Sequence, residues 1–239
     1  MQIKIFEKGF NFSQDGPGNR LVYHLQGCNL VCPWCSNPEG MEKNEAARTL
    51  SLEETVSEIL SCRPMYFGGG GVTFTGGECS LQSAALLSVI GHVRDAGVSV
   101  AIESNAATDG FLPLARAADY VILDYKSPSA EVLRATVGGN LERIEENIRA
   151  ILKEKAVHIR IPLIHGFNDT DGDAEGFAAF FSSLSGDFDV EILPYHEYGR
   201  EKWKKCGREY TVTDGHVPRE RVEHLQSLLR AQGIKIIKT

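Results

Sequence analysis

No stretch of this 239-residue chain approaches the ~18 consecutive apolar residues that cross a bilayer, so no membrane span is expected. The start, MQIKIFEKGF, lacks the basic segment followed by a long apolar run that marks an export signal, and a cytoplasmic setting is expected. Positive charge is in short supply. Lys and Arg number 25 against 32 Asp and Glu, and the net charge of −7 speaks against a large nucleic-acid footprint while leaving room for local basic patches. Nine prolines, with 42% hydrophobic and 24% charged residues, exclude collagen-like, disordered and membrane classes. At ~150 residues per domain the length fits one large domain or two small ones. No internal repeat and no Pro/Ser-rich linker divides the chain, so residues 1–239 are read as a single domain.

What is present is an alternation of short β-branched runs with patterns of helical period, the signature of an α/β fold. Candidate strands are Arg20–Gln26, Val72–Thr75, Ser99–Glu103, Tyr120–Asp124, His158–Leu163 and Asp189–Leu193. Ser51 opens a helix with a capping box completed by Glu54, and Leu52, Val56, Ile59 and Leu60 mark one face. A second helix starts near Ser80 and stops at Gly97. Asn140 caps a third with the stripe Leu141, Ile144, Ile148, Ile151 and Leu152, and further patterns cover Thr170–Leu184 and Pro218–Ala231. No G-x-G-x-x-G follows the first strand, which makes a dinucleotide site there improbable. Six βα repeats can form an open sheet or a barrel-like one. In either, Glu103, Asp124, Arg160 and His196 fall at or near C-terminal strand ends, where a parallel layer places its chemistry.

The six cysteines do not form a disulfide framework, since a chain of this size builds a core without staples. Cys28, Cys32 and Cys35 crowd into the loop GCNLVCPWCSNPEG, while Cys62, Cys79 and Cys206 stand alone. Three thiolates at C-x3-C-x2-C spacing suit three irons of a [4Fe–4S] cube, with one iron left open to a ligand. The alternatives are structural zinc, with His24 or a remote cysteine as fourth ligand, or a chance grouping of buried cysteines. Zinc ribbons usually show a second close pair, and this chain has none.

C-x3-C-x-aromatic-C resembles the radical S-adenosylmethionine (SAM) superfamily, and the neighbouring segments resemble the activating enzymes of glycyl radical enzymes, those of the pyruvate formate-lyase type above all. The resemblance rests on DGPGNR (Asp15–Arg20), the cysteine loop, GGGVTFTGGE (Gly69–Glu78), AIESNA (Ala101–Ala106), ILDYK (Ile122–Lys126), RIPLIHGFND (Arg160–Asp169) and ILPYHEYGREKW (Ile192–Trp203). It implies a partial (β/α)6 TIM-type barrel with a cluster-binding loop at 27–40. The implied reaction is reductive cleavage of S-adenosylmethionine to a 5′-deoxyadenosyl radical, which takes a Cα hydrogen from a glycine of the partner enzyme. An anaerobic monomer served by a flavodoxin or ferredoxin is implied, with neither nucleic acid nor membrane as partner. Between the cysteines and G-G-E the chain carries only Cys62, so it resembles the short form without a ferredoxin-like insert, although SNPEG and RPMYFGGGGVTFTGGE resemble longer relatives.

The resemblance assigns Cys28, Cys32 and Cys35 as cluster ligands and Trp34 to the adenine. Gly76, Gly77 and Glu78 are assigned to the methionine amino group, where glycines admit close approach and a carboxylate accepts from an ammonium. Glu103, Ser104 and Asn105 stand where relatives have Asp-Thr-Asn, and Glu103 with Asp124 is read as a monovalent-cation site; a buried Asp124–Lys126 ion pair is the plainer reading. Lys126, Arg160 and His196 are read as lining the cofactor pocket, and Asp15 and Gly16 as bordering the partner's loop. Cys79 replaces a frequent proline and is read as a small buried residue in preference to a fourth ligand. Asn168 fits either a site or a structural role. Two rival functions remain: a radical SAM enzyme acting on another peptide or a small molecule, and a structural zinc or iron–sulfur module.

Overall fold

The computed structural model describes residues 1–42 and 47–238. The chain folds into two compact units, one of Met1–Asn29 with Asn37–Ile122 and one of Leu30–Ser36 with Leu123–Thr239.

In the first unit β1 (Gln2–Phe12) lies antiparallel to both β2 (Asn19–Leu25) and β3 (Arg48–Ser51). β2 runs parallel to β4 (Gly71–Gly76), and β4 runs parallel to β5 (Ser99–Ser104). The register sets Arg20 opposite Gly71 and Leu25 opposite Gly76, so β2 and β4 start and end together. Tyr23, Leu25, Val72, Phe74, Val100 and Ile102 are fully buried. Helix α1 (Leu52–Ser61) begins with the expected capping box: Glu54 N donates to Ser51 Oγ at 3.1 Å and Ser51 N donates to Glu54 Oε2 at 2.7 Å. Thr55 and Ile59 are its buried residues, with Leu52, Val56 and Leu60 half-buried. Helix α2 (Ser83–Asp95) begins after a 3-10 turn at Cys79–Gln82, buries Leu86, Val89, Ile90 and Val93, and is followed by Gly97 at φ +78. Helix α3 (Phe111–Ala117) follows β5.

Strand β6 (Tyr120–Asp124) is where the chain passes from one unit to the other. In the second unit β7 (Val157–Leu163), β8 (Phe188–Pro194) and β9 (Ile236–Ile237) run parallel in that order. Alternation in β7 is complete: Val157, Ile159, Ile161 and Leu163 are buried, while His158, Arg160 and Pro162 are half-buried. Helix α4 (Ala130–Val137) is capped by Ser129, and α5 (Leu141–Leu152) by Asn140 Oδ1, which accepts from Arg143 N at 3.1 Å. Ile144, Ile148, Ile151 and Leu152 form the buried stripe of α5. Helix α6 (Asp171–Ser182) presents Phe177, Phe180 and Phe181 to Tyr125, whose ring stacks on Phe180 at 4.4 Å. Helices α7 (Arg200–Lys205) and α8 (Arg219–Ala231) complete the unit.

All six strands expected from the sequence are present and the α/β class holds. β1, β3 and β9 are additional. Burial in β1 alternates only through Ile3 and Ile5 before giving way to exposed Phe10 and Phe12, which weakens its strand signature. Among the described residues no helix is long and apolar enough to cross a membrane.

Candidate functional site

The cysteine loop leaves the end of β2 and is pinned at its base. Gly27 N donates to Gly40 O at 2.8 Å, Cys28 N to Met41 O at 3.2 Å, and Gln26 Nε2 to Glu39 O at 2.7 Å. The G-G-E segment at the end of β4 is sewn to the same base, with Gly77 N on Leu25 O at 2.8 Å and Glu78 N on Gly27 O at 2.7 Å. A Cβ on Gly77 would lie 2.1 Å from Gly27 O and 2.6 Å from Gly40 O. Gly76 has φ +112, a conformation that favours glycine. Both glycines thus have a local reason: they let β4 close on the loop's base.

The Glu78 side chain points inward. It is 1% exposed; Oε1 accepts from Ser80 N at 3.0 Å, from Ser104 Oγ at 2.7 Å and from Ser80 Oγ, while Oε2 accepts from Asn105 N at 2.8 Å. A buried carboxylate needs such donors to offset its lost hydration. Asn105 passes the order onward: its Nδ2 donates to Asn29 Oδ1 at 2.8 Å, and Ala107 N donates to its Oδ1 at 3.0 Å. Asn29 directly follows Cys28, so the Glu78 carboxylate orders the β5 exit, and the β5 exit holds the first cysteine's neighbour. Between them Ala106, fully buried, takes φ +58, with its N–H on Ser104 Oγ at 3.0 Å. Such a left-handed alanine persists only where surrounding bonds fix it. Glu103 accepts from Thr75 Oγ1 at 2.7 Å. Cys79 is fully buried and donates to Glu103 O at 3.2 Å; burial first, then the charges of Glu78 and Glu103, hold its thiol pKa well above the usual value.

Asp15 and Gly16 lie elsewhere. Thr73 Oγ1 donates to Asp15 O at 2.7 Å and Asn11 Nδ2 bonds the Asp15 carboxylate, in the turn that precedes β2. The cysteine loop follows the other end of β2, so the two are one strand length apart, roughly 20 Å.

In the second unit Cys35 N donates to Cys32 O at 3.1 Å, forming the turn that carries Trp34. Burial pushes the Cys32 thiol pKa up to about 11, with the Lys126 ammonium working in the opposite direction. The Trp34 ring packs on Phe167 at 4.5 Å. Lys126 Nζ lies 2.7 Å from Asp124 Oδ2, an ion pair whose Asp124 end is open to solvent. Arg160 Nε donates to Glu191 Oε2 at 3.1 Å, and the same oxygen lies 3.2 Å from His158 Nε2. His196 Nδ1 accepts from Tyr198 N at 3.4 Å, its ring stacks on Tyr198 at 4.3 Å, and partial burial lowers its pKa. Asn168, 1% exposed, is a bolt: Nδ2 donates to Lys126 O at 2.7 Å and Pro162 O at 2.9 Å, and Oδ1 accepts from Ile164 N at 2.8 Å.

Gly199 and Trp203, unassigned from the sequence, press on the third cysteine. Trp203 Nε1 donates to Cys35 O at 2.8 Å, and a Cβ on Gly199 would lie 2.4 Å from the same carbonyl. Gly199→Ala is therefore expected to cost about 1–3 kcal/mol, read as a lowered midpoint in thermal or urea unfolding. An unchanged midpoint would show that the loop gives way freely. Asn29, Ser80 and Glu191 were also missed, since their partners lie far away in sequence or depend on turn geometry.

The donor set suits a cluster. All six cysteines are thiols and none is in a disulfide. Among the described residues no three His, Cys, Asp or Glu side chains converge as ligands of one metal ion do. A cube spreads its thiolates over separate corners and needs no such convergence.

Comparison with known proteins agrees. The radical SAM superfamily model matches residues 22–177. A Staphylococcus aureus protein named pyruvate formate-lyase-activating enzyme is 34% identical over 215 residues, covering 85% of each chain. A crystal structure of a domain of pyruvate-formate lyase-activating enzyme from Bacteroides vulgatus is 25% identical, with TM-score 0.59, and covers 71% of this chain and 98% of that one. A radical SAM methyltransferase from Sphaerobacter thermophilus, at 17% identity, TM-score 0.67 and coverage of 95% of this chain and 67% of that one, shares the α/β, mostly parallel fold. The chain belongs to the radical SAM superfamily and, within it, to the pyruvate formate-lyase-activating enzymes.

Proposed function

We propose that this chain activates a pyruvate formate-lyase-like glycyl radical enzyme by removing a Cα hydrogen from one of its glycines. The observation that carries the reading is the three-cysteine loop, fixed to the ends of β2 and β4, in a chain of this family. Cys28, Cys32 and Cys35 would hold a [4Fe–4S] cluster whose open iron takes S-adenosylmethionine. When bound, the pair supplies one-electron cleavage of a sulfonium carbon–sulfur bond and the hydrogen-atom abstraction that follows.

The chain's own residues bind, orient and exclude solvent. Main-chain groups of Gly76 and Gly77 serve the methionine amino group better than the Glu78 carboxylate, which is occupied inside the unit. Ser104 and Asn105 act by shaping the loop. Lys126 and Arg160 bring positive charge for a carboxylate, the second oriented by Glu191. A monovalent cation at Asp124 would compete with the Lys126 ammonium for the same carboxylate. His196 serves as a neutral hydrogen-bonding group. Trp34 offers its face to the adenine with Phe167 behind it, so Trp34→Ala is expected to weaken S-adenosylmethionine binding up to roughly tenfold. Equilibrium dialysis at unchanged iron content measures this, and unaltered affinity would remove Trp34 from the site.

The deciding experiment is anaerobic co-expression with a candidate lyase. A glycine-centred electron spin resonance doublet on the lyase, together with 5′-deoxyadenosine, is expected. Deoxyadenosine without that doublet on any candidate lyase would transfer the chain to the reading in which another peptide or a small molecule is the substrate.

A further inference from the structure

The segment after β8 carries charge opposite in sign to the chain as a whole. Residues 200–208, REKWKKCGR, place Arg200, Lys202, Lys204, Lys205 and Arg208 beside one acid, Glu201, in a chain of net charge −7. Lys204 and Lys205 are exposed, and Arg200, 53% exposed, meets Glu197 at 3.0 Å. The Arg208 guanidinium lies 4.8 Å over the Trp203 ring. Trp203 itself is 5% exposed and donates to Cys35 O at 2.8 Å. A basic surface therefore lies one buried side chain from the main chain of a cluster ligand, and the contact is to the carbonyl, on the backbone side of Cys35.

The proposed reaction consumes one electron per turnover, which a reductant must deliver to the cluster. Cys62, Cys79 and Cys206 are scattered in sequence. We propose that the α7 face, centred on Lys204 and Lys205, docks an acidic one-electron carrier protein. This rests on the functional reading above. The carrier is oxidised by one electron and the cluster is reduced by one, with no proton or leaving group exchanged. Attraction between a basic patch and an acidic partner raises the association rate and fades with salt. A glycine-bearing partner must thread its loop to the reacting atoms, whereas an electron needs only a short path, and the Trp203–Cys35 contact supplies one.

The test uses the cluster-loaded enzyme and two purified probes, an acidic flavodoxin and an acidic ferredoxin. Lys204→Glu/Lys205→Glu is compared with Arg134→Glu/Lys153→Glu, an equal charge change at exposed positions on α4 and just after α5. Stopped-flow absorbance follows cluster reduction by each probe at low and high salt, and dithionite serves as a reductant that needs no docking. For at least one probe, the α7 variant should be reduced roughly tenfold more slowly at low salt, with the difference shrinking at high salt. Dithionite reduction and the glycyl radical yield it supports should be unchanged. The proposal is overturned if neither probe reduces the unaltered enzyme, if the α7 variant matches it, or if the control pair slows equally. A fall in dithionite-driven radical yield overturns it too, by giving the face to the glycine-bearing partner. Failure of the functional reading is separate: dithionite would then yield no glycyl radical with the unaltered enzyme.

Discussion

Cys32→Ser is expected to abolish activity, by ~10³-fold or more, while leaving the chain folded. Serine is close to cysteine in size, so a residue that is 9% exposed loses little packing. What it loses is a soft donor: a hydroxyl does not ionise near neutral pH and cannot replace a thiolate on iron. Burial pushes the Cys32 thiol pKa up to about 11, and a cluster held there would take it as the thiolate. The measurement is iron and sulfide per chain after anaerobic reconstitution, beside an unfolding curve. The matched control is Cys79→Ser, at a fully buried thiol with a hydrogen bond to Glu103 O. It should keep its full iron. Equal iron loss at both positions would make Cys79 a ligand and overturn the three-cysteine assignment.

Glu78→Ala is expected to cost roughly 3–5 kcal/mol, because it strands donors from Ser80, Ser104 and Asn105 in a buried site. Glu78→Gln keeps the shape but replaces one acceptor oxygen by an NH2 group. Whichever way that amide turns, it meets a backbone N–H of Ser80 or Asn105, and a loss of about 1–3 kcal/mol is expected. Urea denaturation reads both. If the carboxylate instead served mainly to bind the cofactor amine, Glu78→Gln would weaken S-adenosylmethionine binding at unchanged stability, and the inward assignment would be wrong.

Much of this architecture is legible in the sequence. The six expected strands show as β-branched runs, and the Ser51 and Asn140 caps can be read because a cap is settled within four residues of chain. The cysteine loop is legible for the same reason of locality. Other features depend on partners far along the chain. Asn29 meets Asn105 from 76 residues away, and Arg160 meets Glu191 from 31 residues away. Asp15 and Gly16 show as a turn ahead of β2, while the bond from Thr73 Oγ1 that holds Asp15 O comes from 58 residues away. Glu78 is a third case, in which the motif identifies an important carboxylate while its direction is set by Ser104 and Asn105, contributed by the next strand.

The closed base of the cysteine loop bears on how chains of this family change length. Gly27 with Gly40, and Cys28 with Met41, tie the loop's two ends together at the backbone level, and Gly77 locks that junction. Extra sequence inserted after Met41 would hang outside the tie. Evolution could therefore add or remove a whole segment between Met41 and β3 without retuning the spacing of the three cysteines, and the loop would travel as a self-contained cassette.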